Sequence, residues 1–376
     1  MALTIVPVRT RREKKAFIDL EWTINKNTPN WVSPLRMERE KILNTQKHPF
    51  YQHSEIELFL AYENDQLSGR IAAITNQNHN DFQKDRAGFW GFFECIDKQE
   101  IADALFRAAA DWLKDKGKDL MYGPMNPSTN DEVGLLIDGF DTPPYMLMTH
   151  NPSYYEKLVN NFGMTKVKDL FAWFITTEQA NENITEKMRR VSEKILKKYH
   201  ITIRNLKLRH LKEEIKLVKE IYNNAWSQNW GFVPMTDAEI NLLADDLKNI
   251  ADEEMLLIAE KDGKPIAFSL TLPNINEVLQ KIPDGRLFPT GIFKLIFGIK
   301  KIRYVRVLVL GVVQEYQFLG LGAIFYIETI LRAMKRGYLG GEMSWILEDN
   351  HAMNRPLEDI GSQKYKTYRV YQYPLL

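Results

Sequence analysis

Two glycines close the run Val312-Val313-Gln314-Glu315-Tyr316-Gln317-Phe318-Leu319-Gly320-Leu321-Gly322, which joins an apolar stretch (residues 305–313) to a helical pattern. On the helical side, apolar residues recur at intervals of three and four, at Ile324, Ile327, Ile330, Leu331 and Met334, as they do on one face of an α-helix. The order is therefore strand, glycine loop and helix N-terminus. Unpaired backbone N–H groups converge at such a terminus, and the helix dipole favours an anion there. The loop predicts a phosphate-binding site.

The spacing of the glycines indicates which class of phosphate ligand the loop would bind. Ala323-Ile324-Phe325 follows Gly320-Leu321-Gly322, so the third glycine of a dinucleotide fingerprint is missing, and a Walker Gly-Lys-Ser/Thr is absent. The pattern Gln317-x-x-Gly320-x-Gly322, five residues after Val312, instead resembles the acyl-CoA diphosphate loop of the GNAT superfamily of N-acyltransferases. The resemblance implies that acetyl-CoA or another acyl-CoA is bound by Val312, Val313, Gln317, Phe318, Leu319, Gly320, Leu321 and Gly322. It also implies that the N–H near Val312 or Val313 polarises the thioester carbonyl. A strand-to-helix turn that binds nothing fits the glycines alone equally well.

A second spaced pattern follows in the order that the same superfamily shows. A predicted strand, residues 343–347, precedes Asn350, and Met353, Leu357 and Gly361 stand three, seven and eleven residues after it. This resembles the GNAT spacing from an Asn, through a short helix, to the last strand, and it implies that Asn350 contributes to the cofactor site. Many GNAT enzymes carry at the position of Leu357 a Tyr that protonates the departing thiolate. Leucine cannot do so, which leaves Tyr365, Tyr368 or a water molecule as the proton donor.

Three residues are predicted to carry the chemistry. Glu342 and Glu348 stand at the two ends of the presumed fifth strand, where a carboxylate could take the proton from an incoming amine. Surface solvation is the competing interpretation of both. Tyr368 is the third catalytic candidate. The seven histidines form no His-Glu-x-x-His motif and the chain has no Cys/His ligand set, so no metal is expected.

The two halves of the chain contain a similar pattern of predicted elements. Residues 58–71 and 256–268 both read as strand, Asn/Asp turn and strand, about two hundred residues apart, which suggests duplication. The first half has no glycine loop after its strand, and Asp97 with Glu100 reads as a capping box whose carboxylates would repel a diphosphate. We therefore expect an α/β (α+β) mixed sheet in two tandem GNAT-like domains. The first, 1–178, is degenerate and lacks the CoA loop; the second, 179–376, carries an insertion at about 274–304.

The composition is that of a globular protein, and it argues against a nucleic-acid partner and against internal disulfides. The net charge of +1 gives no sign of a nucleic-acid partner. The single cysteine, Cys95, cannot form an internal disulfide, so we expect a cytoplasmic protein. Residues 287–303 combine bulky apolar side chains with only basic charges. They are predicted either to touch a membrane surface, to cover a lipid-like substrate, or to pack on the protein with solvated lysines. The oligomeric state is not indicated.

The whole chain resembles a family of tandem GNAT-like bacterial proteins. The resemblance rests on Phe93-Glu94, Gly123-Pro124, Trp230-Gly231-Phe232-Val233-Pro234 and Ser344-Trp345-Ile346-Leu347-Glu348-Asp349-Asn350. It implies transfer of an acetyl or longer acyl group from acyl-CoA to a primary amine, on a small-molecule or lipid-like acceptor. The alternatives are a non-catalytic acyl-CoA sensor, a Fem-type aminoacyl-tRNA-dependent transferase, or a purely structural protein.

Overall fold

The computed structural model describes residues 2–375 and divides them into two compact units. The first unit contains the chain up to Leu170, together with Leu279–Leu295 and the residues from Lys366 onward. The second contains Phe171–Val278 and Ile296–Tyr365. The predicted boundary at residue 178 divides the chain more simply than the structure does. The difference arises because Leu279–Leu295, predicted in the second domain, belong to the first unit. The strands at 165–176 and 363–374 also contribute residues to both units.

The first unit is built on a mixed sheet flanked by helices. Its strands are β1 (Leu3–Pro7), β2 (Ser54–Glu63), β3 (Gln66–Asn76), β4 (Ala87–Cys95), β5 (Leu120–Gly123), β6 (Met125–Asn126), β7 (Glu132–Val133) and β8 (Leu135–Asp138), followed by β9 (Thr165–Thr176). Its helices are α1 (Arg11–Asn25), α2 (Arg36–Ile42), α3 (Gln77–Gln83), α4 (Gln99–Asp115) and α5 (Tyr155–Asn161), with a 3₁₀ turn at Pro49–Gln52. The amphipathic α4 packs its apolar face on β2 and β3, where Leu105 and Phe106 are fully buried.

The second unit carries the glycine loop. Its strands are β10 (Ile201–Asn205), β11 (Leu256–Lys261), β12 (Lys264–Pro273), β13 (Tyr304–Val312) and β14 (Gly340–Leu347), and the chain ends with β15 (Gln363–Pro374). Its helices are α6 (Thr177–Asn183), α7 (Glu186–Lys198), α8 (Leu211–Ala225), α9 (Asp237–Leu247), α10 (Asn276–Leu279), α11 (Gly291–Ile299), α12 (Leu321–Arg336) and α13 (His351–Asp359). Three 3₁₀ turns lie at Leu208–His210, Glu253–Met255 and Gln314–Leu319. The segment between β12 and β13, where the insertion was predicted, contains α10 and α11.

Strand order and direction repeat from one unit to the other. In the first, β1, β2, β3 and β4 are successively antiparallel and β5 lies parallel to β4. In the second, β10, β11, β12 and β13 are successively antiparallel and β14 lies parallel to β13. A long helix makes the crossover to the parallel strand in each, α4 in one and α12 in the other. The predicted mixed α/β architecture is confirmed, and the order of elements agrees with duplication.

Candidate functional site

The glycine loop forms an open helix mouth in the second unit. After β13, the 3₁₀ turn ends at Gly320, which has a left-handed conformation (φ 68°) and caps α12 without any side-chain hydrogen bond. The first helical bond runs from the N–H of Ile324 to the Gly320 carbonyl, at 3.3 Å. The N–H groups of Leu321, Gly322 and Ala323 therefore lie in the first turn, ahead of the helical ladder. Their direction and the helix dipole suit an anion.

The surroundings of Gly320 and Gly322 show whether a diphosphate has room at this helix N-terminus. A Cβ added at Gly320 would meet nothing within 4 Å, so only its positive φ requires glycine. At Gly322 an added Cβ would lie 3.5 Å from Met353 Sδ, an ordinary contact distance. Neither glycine is needed to avoid a protein neighbour. The residues present fit a phosphate-bearing ligand, because the bare backbone leaves room for its oxygens.

The other residues predicted in the loop have different roles. Val313 donates its N–H to the Ile266 carbonyl at 2.9 Å, so that group is committed to β12 and does not polarise a thioester. Gln317 turns its side-chain amide back to the Val312 carbonyl at 3.2 Å and closes the turn. Leu319 and Leu321 are buried in the hydrophobic core.

Phe318 is the exposed large apolar residue of the loop, with 76% of its surface accessible. It lies two residues before the left-handed Gly320, within the 3₁₀ turn that leads to the helix mouth. An apolar ring this exposed beside a polar cradle is available to contact a bound ligand.

The parallel strands β13 and β14 separate beyond their first four pairs. The ladder joins Tyr304–Val307 to Gly340–Met343, although the strands continue to Val312 and Leu347. The carboxyl halves of the two strands are thus outside the ladder. We call the region between them the strand opening; its closed end is the last pair, Val307 with Met343. An extended ligand arm can make backbone hydrogen bonds in such an opening.

A buried polar cluster lies at the closed end of this opening. Arg306 on β13 faces Glu342 on β14 in register, and neither is more than 2% exposed. Glu342 accepts hydrogen bonds from the hydroxyls of Ser344 and Tyr365, one at each carboxylate oxygen. Arg306 donates from Nε to Ser344 Oγ at 2.9 Å and from Nη2 to the Ser344 carbonyl at 3.0 Å. Glu342 cannot touch a substrate directly, but the half-buried Tyr365 links it to the surroundings.

Sequence reasoning named Glu342 but missed Arg306 and Ser344 as its partners. One signal was present: Arg306 is the only charged residue of an otherwise apolar strand, Val305 to Val313. A charge in a buried strand requires a partner, because an unpaired ion in the interior is costly.

The residues after β14 serve mainly to position α13. Asn350 accepts a hydrogen bond from the N–H of Met353 at 3.3 Å and acts as the N-cap, so its side chain is engaged in the fold. Asn354, which the sequence did not single out, donates to the Leu347 carbonyl at 3.0 Å and accepts from Trp173 Nε1 at 2.9 Å. Glu348 is half-buried, one residue beyond the end of β14.

Leu357 and Tyr368 are both fully buried. Leu357, on α13, belongs to the apolar core of the second unit. Tyr368 lies on β15 in the first unit, in register with Leu136, and has no exposed surface. The structure therefore does not bring Tyr368 into one unit with Glu342 and Glu348, and its burial argues against contact with a substrate.

The mouth of α4 in the first unit differs from that of α12. The helix begins at Gln99 after Lys98, which makes no side-chain cap, so the predicted capping box of Asp97 and Glu100 is wrong. The reason is that Lys98 occupies the cap position, which leaves Glu100 at the second helical residue instead of the third. Glu100 still places a carboxylate in the first turn, where it would repel a phosphate.

A buried charge network lies behind that mouth. Glu94 accepts hydrogen bonds from Asn25 Nδ2 at 2.9 Å and Tyr155 Oη at 2.7 Å, and Arg70 lies 3.6 Å away. Arg70 also pairs with Glu21 at 3.0 Å. Burial raises the pKa of Glu94 to about 7, although the Arg70 guanidinium works in the opposite direction.

Between residues 2 and 375, no group of three or more His, Cys, Asp or Glu side chains is arranged to hold a metal ion. None of the helices in that range is both long and apolar enough to cross a membrane.

Two curated proteins are similar to the chain over nearly its whole length. The bacterial ceramide synthase of Caulobacter vibrioides is 37% identical over 377 residues, covering 98% of this chain and 97% of that protein. Protein YghO of Escherichia coli is 37% identical over 368 residues, covering 96% and 93%. No protein-family model matches the chain.

Solved structures show the same fold at low identity. A tandem GNAT protein from the clavulanic acid biosynthesis pathway superposes with a TM-score of 0.58 at 9% identity, covering 100% of this chain and 99% of that one. A GCN5-related N-acetyltransferase from Anabaena variabilis gives a TM-score of 0.54 at 9% identity, covering 100% and 73%. The chain therefore has two tandem GNAT-like domains, of which the first lacks the glycine loop.

Proposed function

Because the chain belongs to the family of the Caulobacter vibrioides ceramide synthase and Escherichia coli YghO, we propose that it transfers an acyl group from acyl-CoA to a primary amine. Ceramide is the amide of a long-chain amino alcohol, so the name of that relative supports a lipid-like amine as the acceptor here. The observation that carries the proposal is the uncapped mouth of α12, with the open space at Gly320 and Gly322.

The chain's own residues would hold the donor in two places. The N–H groups of Leu321, Gly322 and Ala323 would bind the diphosphate of CoA. The separated halves of β13 and β14 would hold the extended arm, with the reactive carbonyl at the closed end near Met343. Catalysis would then come mostly from holding the acceptor nitrogen against that carbonyl.

Proton transfer would use the carboxylate at the closed end. As the nitrogen attacks the carbonyl carbon, it must lose a proton. The C–S bond then breaks, and the CoA sulfur leaves as a thiolate that takes a proton from water. Tyr365, whose hydroxyl donates to Glu342, would accept the proton of the nitrogen as its own passes to the carboxylate. Arg306 and Ser344 would hold Glu342 in place. Glu348, at the open end of β14, is the alternative base.

Binding and turnover test the proposal separately. Calorimetry with acetyl-CoA and with a long-chain acyl-CoA should detect binding, and thiol release should rise when a long-chain amino alcohol is added. Absence of binding by both donors would remove the transferase proposal. A variant lacking the open mouth, Gly320→Glu, should bind neither, whereas Gly117→Glu, at another left-handed glycine with open space, should bind as the parent does.

A non-catalytic acyl-CoA sensor is the second candidate, and Leu357 favours it. That residue replaces the usual proton-donating Tyr and is buried in the core. Tight acyl-CoA binding with no thiol release across a panel of amines would select the sensor over the enzyme.

A further inference from the structure

We propose that α11 and the turn before it form a docking surface for anionic lipid bilayers. The α11 surface consists of Phe288, Phe293, Ile296 and Phe297 together with Lys300 and Lys301. It is independent of the proposed activity, because none of these residues belongs to the loop, the strand opening or the polar cluster described above.

The apolar side chains of the α11 surface are unusually exposed. Phe288 is 75% accessible, Phe293 59%, Ile296 54% and Phe297 67%. Single exposed apolar residues are ordinary, but several adjacent ones mark an interaction site. Phe293, Ile296 and Phe297 are spaced at i, i+3 and i+4, so they form one ridge along one face of the helix.

The helix cannot simply turn this ridge inward. Its opposite side lies close to α10, where a Cβ added at Gly298 would stand 2.6 Å from Val278 Cγ1. Gly291, at the start of the helix, is buried in the same way, with its added Cβ 2.3 Å from the Arg286 carbonyl. Close packing on this side leaves the aromatic ridge facing outward.

The charges around the ridge select the kind of partner. From residue 286 to 303 the charged residues are Arg286, Lys294, Lys300, Lys301 and Arg303, and no Asp or Glu occurs among them. Lys294 donates to the Lys281 carbonyl at 2.7 Å, whereas Lys300 and Lys301 are exposed just after the helix ends. Basic residues beside an aromatic face are typical of helices that lie in the interface of an anionic bilayer.

The same charges argue against a second copy as the partner. A two-fold interface brings the same patch of both copies together, so Lys300 and Lys301 would approach their own equivalents. With nine residues, α11 is also too short to span a bilayer. It would lie in the plane of the headgroups with Phe293 and Phe297 inserted.

Vesicle flotation of the full chain tests the proposal. Binding to vesicles that contain phosphatidylglycerol should be clear, and binding to phosphatidylcholine alone should be weak. The double variant Phe293→Ser/Phe297→Ser should bind vesicles about tenfold more weakly or worse, because two aromatic rings are no longer transferred from water into the bilayer. Lys300→Glu/Lys301→Glu should lose a similar factor on the anionic vesicles, since basic residues near the surface are attracted to the anionic headgroups.

Matched controls separate the surface from general effects. Lys197→Glu/Lys198→Glu reverses an exposed adjacent pair at the end of α7, and Met37→Ser removes an apolar side chain that is 57% exposed on α2. Both controls should bind vesicles as the parent does, and circular dichroism melting should show that every variant is folded.

Three outcomes would overturn the proposal. One is a parent chain that floats with neither kind of vesicle. Another is a Lys300→Glu/Lys301→Glu variant that binds anionic vesicles as well as the parent. The third is light scattering that shows a dimer abolished by Phe293→Ser/Phe297→Ser, which would assign the surface to a second copy of the chain.

Discussion

Arg306 on β13 stands directly opposite Glu342 on β14, and Ser344 bridges the two side chains at the closed end of the strand opening. The two charged groups are 3.7 Å apart and are 2% and 0% exposed. Because each supplies a counter-charge to the other in the interior, removing one leaves the other buried with less charge compensation. The pair therefore ties the stability of the second unit to the geometry of its candidate site.

Removing one partner should be more harmful than removing both. We expect Arg306→Met to lower the free energy of unfolding by about 3–5 kcal/mol, since it removes a buried counter-charge of the Glu342 carboxylate. Arg306→Met/Glu342→Leu should recover much of that loss, because two apolar side chains need no counter-charge. Urea denaturation of the parent, single and double variants measures both. A double variant less stable than the single one would contradict this account of the pair.

Glycine substitutions at the two ends of α12 should separate folding from ligand binding. Gly320→Ala and Gly337→Ala both place a side chain at positive φ (68° and 82°) with nothing within 4 Å. Each should cost about 1–2 kcal/mol of stability for the same conformational reason. Only Gly320→Ala should also weaken acyl-CoA binding, because Gly337 lies at the other end of the helix. Equal affinity in the two variants would argue against the mouth as the diphosphate site.

At Gly322 the expected effect is on affinity alone. The Cβ of Gly322→Ala meets Met353 Sδ at an ordinary 3.5 Å, so the fold should tolerate it. The same Cβ would stand where a phosphate approaches the backbone. Calorimetry should show about tenfold weaker acyl-CoA binding, with an unchanged urea midpoint.

The hydroxyl of Tyr365 should matter for turnover and little for donor binding. Tyr365→Phe removes the group that donates to Glu342 and should lower kcat about a hundredfold or more, with KM for acyl-CoA unchanged. Tyr304→Phe is the matched control, because both tyrosine rings lie against Phe174. Their ring centroids are 6.1 Å (Tyr304) and 5.9 Å (Tyr365) from that of Phe174. If both variants turn over like the parent, Tyr365 has no part in the proton transfer and Glu348 is the base to test next.

Restoring tyrosine at position 357 should not restore a proton donor. The side chain of Leu357 is 0% exposed within the core, so Leu357→Tyr would overpack it at a cost of about 1–3 kcal/mol and bury a hydroxyl. Leu357→Met, which keeps the volume, should cost less than about 1.5 kcal/mol. Thermal melting measures both effects. A Leu357→Tyr variant with faster thiol release would show that the residue reaches the ligand after all.

Glu94 should make the stability of the chain depend on pH. Its pKa is raised from 4.5 to about 7 in the folded state, so the folded protein holds this proton more tightly than the unfolded chain. Its contribution to stability is then fully present below about pH 4.5 and is lost as the pH rises to about 7. Glu94→Gln removes that loss, so its stability relative to the parent should increase from about pH 5 to about pH 8.

A control identifies the source of that pH dependence. Glu193→Gln changes an exposed carboxylate on α7, and its stability should follow the parent across the same range. A parent and a Glu94→Gln variant with parallel pH profiles would show that Arg70 keeps the Glu94 carboxylate ionised in the folded protein.

Much of the architecture depends on local sequence patterns and could be predicted from the sequence alone. The period of the apolar residues placed β13 and α12, because helices and strands expose different faces at different spacings. The purely basic charge of residues 287–303 is also evident from the sequence, but the exposure of Phe293 and Phe297 is decided by packing in the folded chain. What required the tertiary structure is every relationship between strands: the pairing of Arg306 with Glu342, the commitment of the Val313 N–H to Ile266, and the separation of β13 from β14 beyond Met343. These depend on register between segments far apart in the chain, and a shift of one residue would send each side chain to the opposite face of the sheet.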